Sequence, residues 1–255
     1  MPAEISQFLC ASDNFGVLLH DSATGATASI DACQEAPIVA ALEKTGWTLT
    51  HILVTHHHAD HVDAIPPLKA RFGARVIGPA AESKLIPEMD EGVREGDRVK
   101  VGSLEASVIH TPGHTAGHIV YHFAGERLLF AGDTLFSLGC GRIFEGTAAD
   151  MFGGISKIAT LPDETRIYCG HEYTLSNARF ALTVDPDNPA LRARAAEVEQ
   201  LRQAGAFTLP TVLGQEKATN PFLRAADAGI ARTLGMEGRP PVEIFAELRE
   251  RKNRG

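Results

Sequence analysis

The 255-residue chain has only four cysteines, and no two of them form a Cys-x-x-Cys pair. Cys10, Cys33, Cys140 and Cys169 are scattered, so the sequence indicates neither a disulfide framework nor a thiolate zinc knuckle. It also lacks any apolar run long enough to span a bilayer, and its beginning lacks a basic segment followed by an apolar core. The expected location is therefore a reducing cytoplasm. There is no basic excess: the formal net charge of −8 gives no reason to expect nucleic acid or an anionic membrane as partner. No internal repeat, low-complexity segment or sign of an obligatory protein partner stands out. The length suits one large domain or two, with enough apolar content for a core.

The run Thr55-His56-His57-His58-Ala59-Asp60-His61 is the richest feature present. It follows Ile52-Leu53-Val54, so four candidate ligands (His56, His58, Asp60, His61) are expected on a loop at the end of a buried strand. Such a loop can hold ligands in fixed geometry while leaving a side open for chemistry. Three further apolar stretches run into candidate ligands. Ala106–Ile109 leads to His114, Arg127–Gly132 to Asp133, and Arg166–Gly170 to His171. Glycine directly precedes all three, where a tight turn is expected to swing each side chain toward a shared centre. These donors are too many for one tetrahedral ion and suit two. Asp133, the one acid among the last three donors, is the natural bridge. Mixed imidazole and carboxylate donors fit zinc, iron or manganese. Two ions about 3.5–4 Å apart point to hydrolysis.

The rest of the chain reads as mixed α and β. Phe15–Leu19 and Ala26–Ile30 form a hairpin, Ile38–Leu42 lies in a helix closed by Gly46, and Val62–Phe72 is a weaker helix that Pro66 and Pro67 either interrupt or start. From Leu175 the pattern is helical. Asp185–Pro189 breaks it with a cap and proline before Leu191–Leu201, and Ile230–Leu234 and Val242–Leu248 add shorter helices. Strands mixed with helices in this way suggest helices layered on a β core. His57 points away from its neighbours in an extended segment and reads as a supporting residue, as does His118. Asp31, at the end of the Ser29-Ile30 strand, could orient a ligand histidine or serve a turn.

His-x-His-x-Asp-His with His114, Asp133 and His171 resembles the metallo-β-lactamase-fold hydrolases. Thr111–His118, Ala131–Phe136, Gly139–Thr147, Gly170–Thr174 and Thr219–Arg224 narrow the resemblance to glyoxalase II, the hydroxyacylglutathione hydrolases. The resemblance covers nearly the whole chain. It implies an αββα sandwich over residues 1–175 and a small helical C-terminal domain over 176–255 that contributes to substrate binding. It further implies two divalent ions, most often zinc, with His56, His58 and His114 on one, Asp60, His61 and His171 on the other, and Asp133 between them. Asp60 and Asp133 would take part in catalysis. The implied reaction is hydrolysis of S-D-lactoylglutathione to glutathione and D-lactate, the second step of methylglyoxal detoxification.

By the same resemblance Arg142, Tyr173, Arg249 and Lys252 contact the glutathione moiety, the last two from one helical face at i, i+3. Phe144 stands where some relatives have tyrosine and lacks its hydroxyl. Val62-Asp63-Ala64-Ile65 replaces a small Gly-Gly-Asn run, where altered packing is expected. Two alternatives share the fold: a mononuclear-iron glutathione persulfide dioxygenase, and a metallohydrolase acting on another ester or lactam. Retention of Asp60, His61 and His171, with the helical C-terminal domain, argues against the first; in the second, Arg249 and Lys252 would be incidental. A non-catalytic metal module would have little use for an open dinuclear arrangement.

Overall fold

The computed structural model describes residues 3–254. The outer ends of the two expected domains, residues 1–2 and 255, lie outside it. The chain divides into two compact units: residues through His110 with Thr115–Gly132, and Thr111–His114 with everything from Asp133.

The first unit opens with β1 (Glu4–Leu9), β2 (Phe15–Asp21) and β3 (Ala26–Ile30), then α1 (Glu35–Thr45) and β4 (His51–Leu53). It continues through α2 (Ala59–Val62), α3 (Ile65–Phe72), β5 (Arg75–Pro79) and β6 (Glu91–Val93). The six strands form one sheet in sequence order. β1, β2 and β3 are antiparallel, with Val17 opposite Ile30 in the expected hairpin. β3 to β6 run parallel, with Ser29 beside Ile52 and Ile52 beside Val76. Parallel neighbours need crossovers; α1 supplies the one from β3 to β4 and α3 the one from β4 to β5. Their apolar faces (Ile38 and Leu42; Ile65 and Leu68) bury against Ile52, Val54 and Val76. Gly46 closes α1 in the left-handed region at φ 73°, as the sequence indicates.

The prolines set the start of the expected Val62–Phe72 helix, and its first residue moves from Val62 to Ile65. The prolines lie in the first turn of α3, which therefore starts at Ile65, and a separate short helix, α2, carries Asp60 and His61. The Val62–Ile65 departure is a packing feature. Val62, Ala64 and Ile65 are all buried, and Ala64 N–H donates to Ala32 O at 2.9 Å.

β7 (Arg98–Val101), β8 (Leu104–His110), β9 (Ile119–Phe123) and β10 (Leu128–Gly132) complete this unit as consecutive antiparallel strands. From β9 the buried Tyr121 hydroxyl reaches Val54 O at 2.9 Å and Ile77 O at 3.3 Å. This ties β9 to the strand ends next to the histidine-rich segment.

The second unit contains β11 (Leu135–Phe136), β12 (Gly139–Cys140), α4 (Ala148–Ala159), β13 (Arg166–Cys169) and α5 (Thr174–Val184). After these come α6 (Pro189–Gln203), β14 (Thr211–Val212), α7 (Leu213–Thr219), α8 (Ala228–Leu234) and α9 (Pro241–Arg254). Asn188 caps α6 by accepting from Ala190 and Leu191 N–H, with Pro189 in the first turn, as its sequence pattern suggests. Phe222, Phe245, Ile244 and Leu248 bury together with Met151 and Ile155, so α9 packs on α4.

Two buried polar residues fix the β11–β12 hairpin. Glu216 accepts from Leu138 N–H at 2.7 Å, Ser137 Oγ at 2.8 Å and Thr211 Oγ1 at 2.6 Å. Asn220, in the Thr-Asn-Pro-Phe-Leu-Arg segment, donates to Phe136 O at 3.1 Å and Gly139 O at 3.0 Å. These contacts hold the left-handed backbone of Leu138, φ 58°, between β11 and β12.

Candidate metal centre

β4 and the residue after it deliver the histidine-rich segment. Thr55 N–H donates to Asp31 Oδ1 at 2.7 Å, and the Thr55 hydroxyl lies 3.0 Å from His56 Nδ1. His56 Nε2 is 3.1 Å from His58 Nδ1. Two unprotonated imidazole nitrogens at that distance repel, so the pair suits a proton or a cation. His61 is buried, and its Nδ1 lies 2.8 Å from Asp31 Oδ2, which leaves Nε2 as the ligand atom. That Nε2 is 3.6 Å from Asp60 Oδ2. Of the two roles open to Asp31, orienting a histidine is the one observed. It adopts φ 57° to do so.

The other candidate donors have a similar arrangement. His114 Nδ1 lies 2.9 Å from Arg142 O, which turns Nε2 toward Asp133 Oδ2 at 3.4 Å. His171 Nε2 lies 3.3 Å from that same oxygen. Such tethering at the far ring nitrogen fixes tautomer and ring orientation in metal-ligating histidines. The donors that could hold an ion group as His56, His58 and His114, as His56, His61 and Asp133, and as Asp60, His61 and His171. A further group of His57, His58 and Glu145 was not expected from the sequence. Imidazole and carboxylate donors of this kind fit a borderline or hard divalent ion.

The glycine expectation holds in part. Gly113 and Gly132 have positive φ, 138° and 46°, whereas Gly170 is not among the positive-φ glycines. Gly141 has the tightest steric role near Asp133, since a Cβ there would run into the Asp133 carbonyl.

Sequence reasoning also missed Glu82. This buried carboxylate accepts from Thr115 Oγ1 at 2.5 Å and Gly117 N–H at 2.9 Å, and lies 2.9 Å from His57 Nδ1. His57 is therefore held by a partner of its own, and His118 stacks on His56 with centroids 4.7 Å apart.

The expected substrate residues are placed as follows. Tyr173 stacks on His171, centroids 4.8 Å apart and planes 2° off parallel, and is 38% exposed. Phe144 is 60% exposed and meets the His114 ring edge-on at 5.2 Å. Arg142 is exposed. Lys252 Nζ donates to Ser176 O at 3.1 Å and Oγ at 2.9 Å. Burial pushes its pKa down, and the nearby Arg249 and Arg142 cations add to the shift. Arg249 is placed differently from an open anion ligand. It is buried, and its NH1 group donates to Cys140 O at 2.8 Å and Gly141 O at 3.3 Å, with the guanidinium over the Phe222 ring. The Cys140 thiol beside it is pushed up to about 11 by burial, against the opposing effect of the guanidinium.

Among the described residues no helix is long and apolar enough to cross a membrane. Residues 16–171 match the model of the metallo-beta-lactamase superfamily, and residues 172–255 match that of the hydroxyacylglutathione hydrolase C-terminus. A hydroxyacylglutathione hydrolase of Rhizobium johnstonii is 60% identical over 99% of this chain and 98% of its own length. One of Rhodopseudomonas palustris is 57% identical over the full length of both. Among solved structures, ETHE1 from Myxococcus xanthus is 28% identical with a TM-score of 0.68, covering 98% of this chain and 91% of that one. A metallo-beta-lactamase from Staphylococcus aureus is 25% identical with a TM-score of 0.65, covering 97% of this chain and 70% of that one.

Proposed function

This chain belongs to the hydroxyacylglutathione hydrolase (glyoxalase II) family of the metallo-β-lactamase superfamily, and we propose from that premise that it hydrolyses 2-hydroxyacylglutathione thioesters. S-D-lactoylglutathione is the expected substrate, and glutathione and D-lactate the products. The observation that carries the reading is the sharing of Asp133 Oδ2 by His114 Nε2 and His171 Nε2 at 3.4 and 3.3 Å, the placement a bridging carboxylate needs.

Two divalent ions would be held, by His56, His58 and His114 and by Asp60, His61 and His171, with Asp133 common to both. The donors fit zinc foremost, and iron or manganese as well. When bound, such ions supply Lewis acidity, bringing the pKa of water to about 7 and polarising a carbonyl. The chain's own side chains do the rest. Asp31 and the Arg142 carbonyl keep His61 and His114 in one tautomer. Asp60 and Asp133 orient the attacking water by accepting its hydrogen bonds. Tyr173 and Phe144 offer exposed aromatic surface to the thioester. Arg142 and Lys252 supply positive charge for the two glutathione carboxylates in an otherwise acidic chain. Arg249 supports them by fixing the Cys140–Gly141 backbone next to Arg142.

The proposed functional division lies at 175/176, near the junction of the two family matches at 171/172. A cytoplasmic location suits four cysteines that are all in the thiol form. The test is turnover of S-D-lactoylglutathione by protein whose metal content is measured in parallel. Rapid hydrolysis at about two metals per chain supports the reading. Negligible turnover by the fully metallated protein overturns it.

A further inference from the structure

Asn14 lies in the turn between β1 and β2, where Cys10 N–H donates to Asn14 O at 2.8 Å. Its side chain is buried, with 6% of the residue exposed, and points at the metal-ligand segment. Nδ2 donates to Asp60 Oδ2 at 2.9 Å and approaches Asp60 O at 3.5 Å. The oxygen it holds is the one 3.6 Å from His61 Nε2. Asp60 itself has little burial to restrain it, its side chain being 47% exposed on a four-residue helix.

We propose that Asn14 is a positioning residue for Asp60, holding its carboxylate in the one orientation that serves the ion shared with His61 and His171. This rests on the reading of Asp60 as a ligand. An exposed aspartate samples several staggered rotamers, and a buried donor of fixed position selects one. A carboxylate oxygen has two lone pairs, so the amide occupies one and leaves the other for the cation. The choice of a neutral donor is physically apt. Lysine or arginine there would hold Asp60 equally well but would repel the incoming ion.

The test uses metal-depleted full-length chain titrated with Zn²⁺ against a chromophoric chelator, so the readout is binding and not turnover. Asn14→Leu keeps the side chain's size and removes its donor. It is expected to weaken one of the two sites about 10–100-fold and leave the other at the wild-type value. Asn14→Gln, which retains an amide on a longer arm, is expected to lose less. Thermal unfolding of the metal-free variants checks that the turn still folds, and Asn14→Ala gives the same reading if the leucine variant does not. Wild-type affinity at both sites in the donor-less variant overturns the proposal. Asp60→Ala separates the two levels of inference. If it still binds two ions with wild-type affinity, the ligand reading of Asp60 fails. If it loses one site while Asn14→Ala loses none, only the role of Asn14 fails.

Discussion

Asp31 Oδ2 lies 2.8 Å from His61 Nδ1, while its other oxygen accepts from Thr55 N–H at 2.7 Å. One buried carboxylate thus sets a candidate ligand ring and the backbone that introduces the histidine-rich segment. Asp31→Ala removes both acceptors. Stability of the metal-free protein should fall by about 1–3 kcal/mol, because a buried N–H loses its partner. Metal affinity should fall about 10–100-fold through the released ring of His61. Urea unfolding and a chelator competition measure the two effects separately.

Glu82 shows the same logic one step removed from the candidate ligands, through His57. Glu82→Leu strands Thr115, Gly117 N–H and His57, all within 2.9 Å of the carboxylate. A loss of about 1–3 kcal/mol is expected, seen as a lower urea midpoint at unchanged slope. Activity should drop as well, since His57 stands between His56 and His58.

Arg249 and Lys252 should separate in their kinetics despite sharing a helical face. Arg249→Ala leaves the Cys140 and Gly141 carbonyls without their charged donor, and should cost about 1.5–3 kcal/mol of stability along with turnover. Arg249→Lys should not restore it, because an ammonium cannot reproduce the planar fork. Lys252→Ala should raise KM for the glutathione thioester and change stability by less than about 0.5 kcal/mol. A KM for Lys252→Ala equal to wild type would remove it from the substrate site.

Gly141→Ala is the sharpest backbone test. The new methyl group would meet the Asp133 carbonyl and lie 3.3 Å from His114 Nδ1. A backbone obstacle cannot rotate away, so the expected result is loss of bound metal and of kcat in a protein that retains its circular dichroism spectrum. Full metal content in this variant would show that the segment yields without disturbing Asp133.

Acid sensitivity has an identifiable contributor in Asp21, which is fully buried. Hydrogen bonds from Ser103 N–H, then from the Thr24 and Ser103 hydroxyls and Ala23 N–H, hold its carboxyl well below the usual carboxylate range. A depressed folded-state pKa means the unfolded chain takes up the proton first. The stabilisation is therefore complete above about pH 5 and is lost as pH falls through 4 and below. Asp21→Asn should flatten the pH dependence of unfolding free energy in that window while lowering stability at pH 7. An unchanged slope between pH 5 and 3 would rule Asp21 out as the source.

What could be read in the sequence was local. Gly46 closing α1, Asn188-Pro189 opening α6 and the apolar runs feeding His56, His114, Asp133 and His171 are each encoded within a few residues, and each corresponds to an element or strand end. Helix α4 also carries a local signal, the Thr147–Asp150 capping box. The supports were hidden for a different reason. Asn14 reaches Asp60 across 46 positions and Arg249 reaches Cys140 across 109, and no periodicity records a contact between distant segments. The direction of Arg249 was hidden too: i, i+3 spacing shows that it shares a face with Lys252, but not that its guanidinium turns inward onto backbone carbonyls.

The clip from Arg249 to Cys140 and Gly141 also sets an order of events during synthesis. The segment leading to Arg142 emerges from the ribosome long before its fastener does, so it must wait for almost the entire helical region to follow. A chain arrested between residues 171 and 249 would carry every candidate metal donor and still lack the part that secures the substrate side. The candidate donors are thus complete in chain order before the helix that fastens the Cys140–Gly141 backbone has been made.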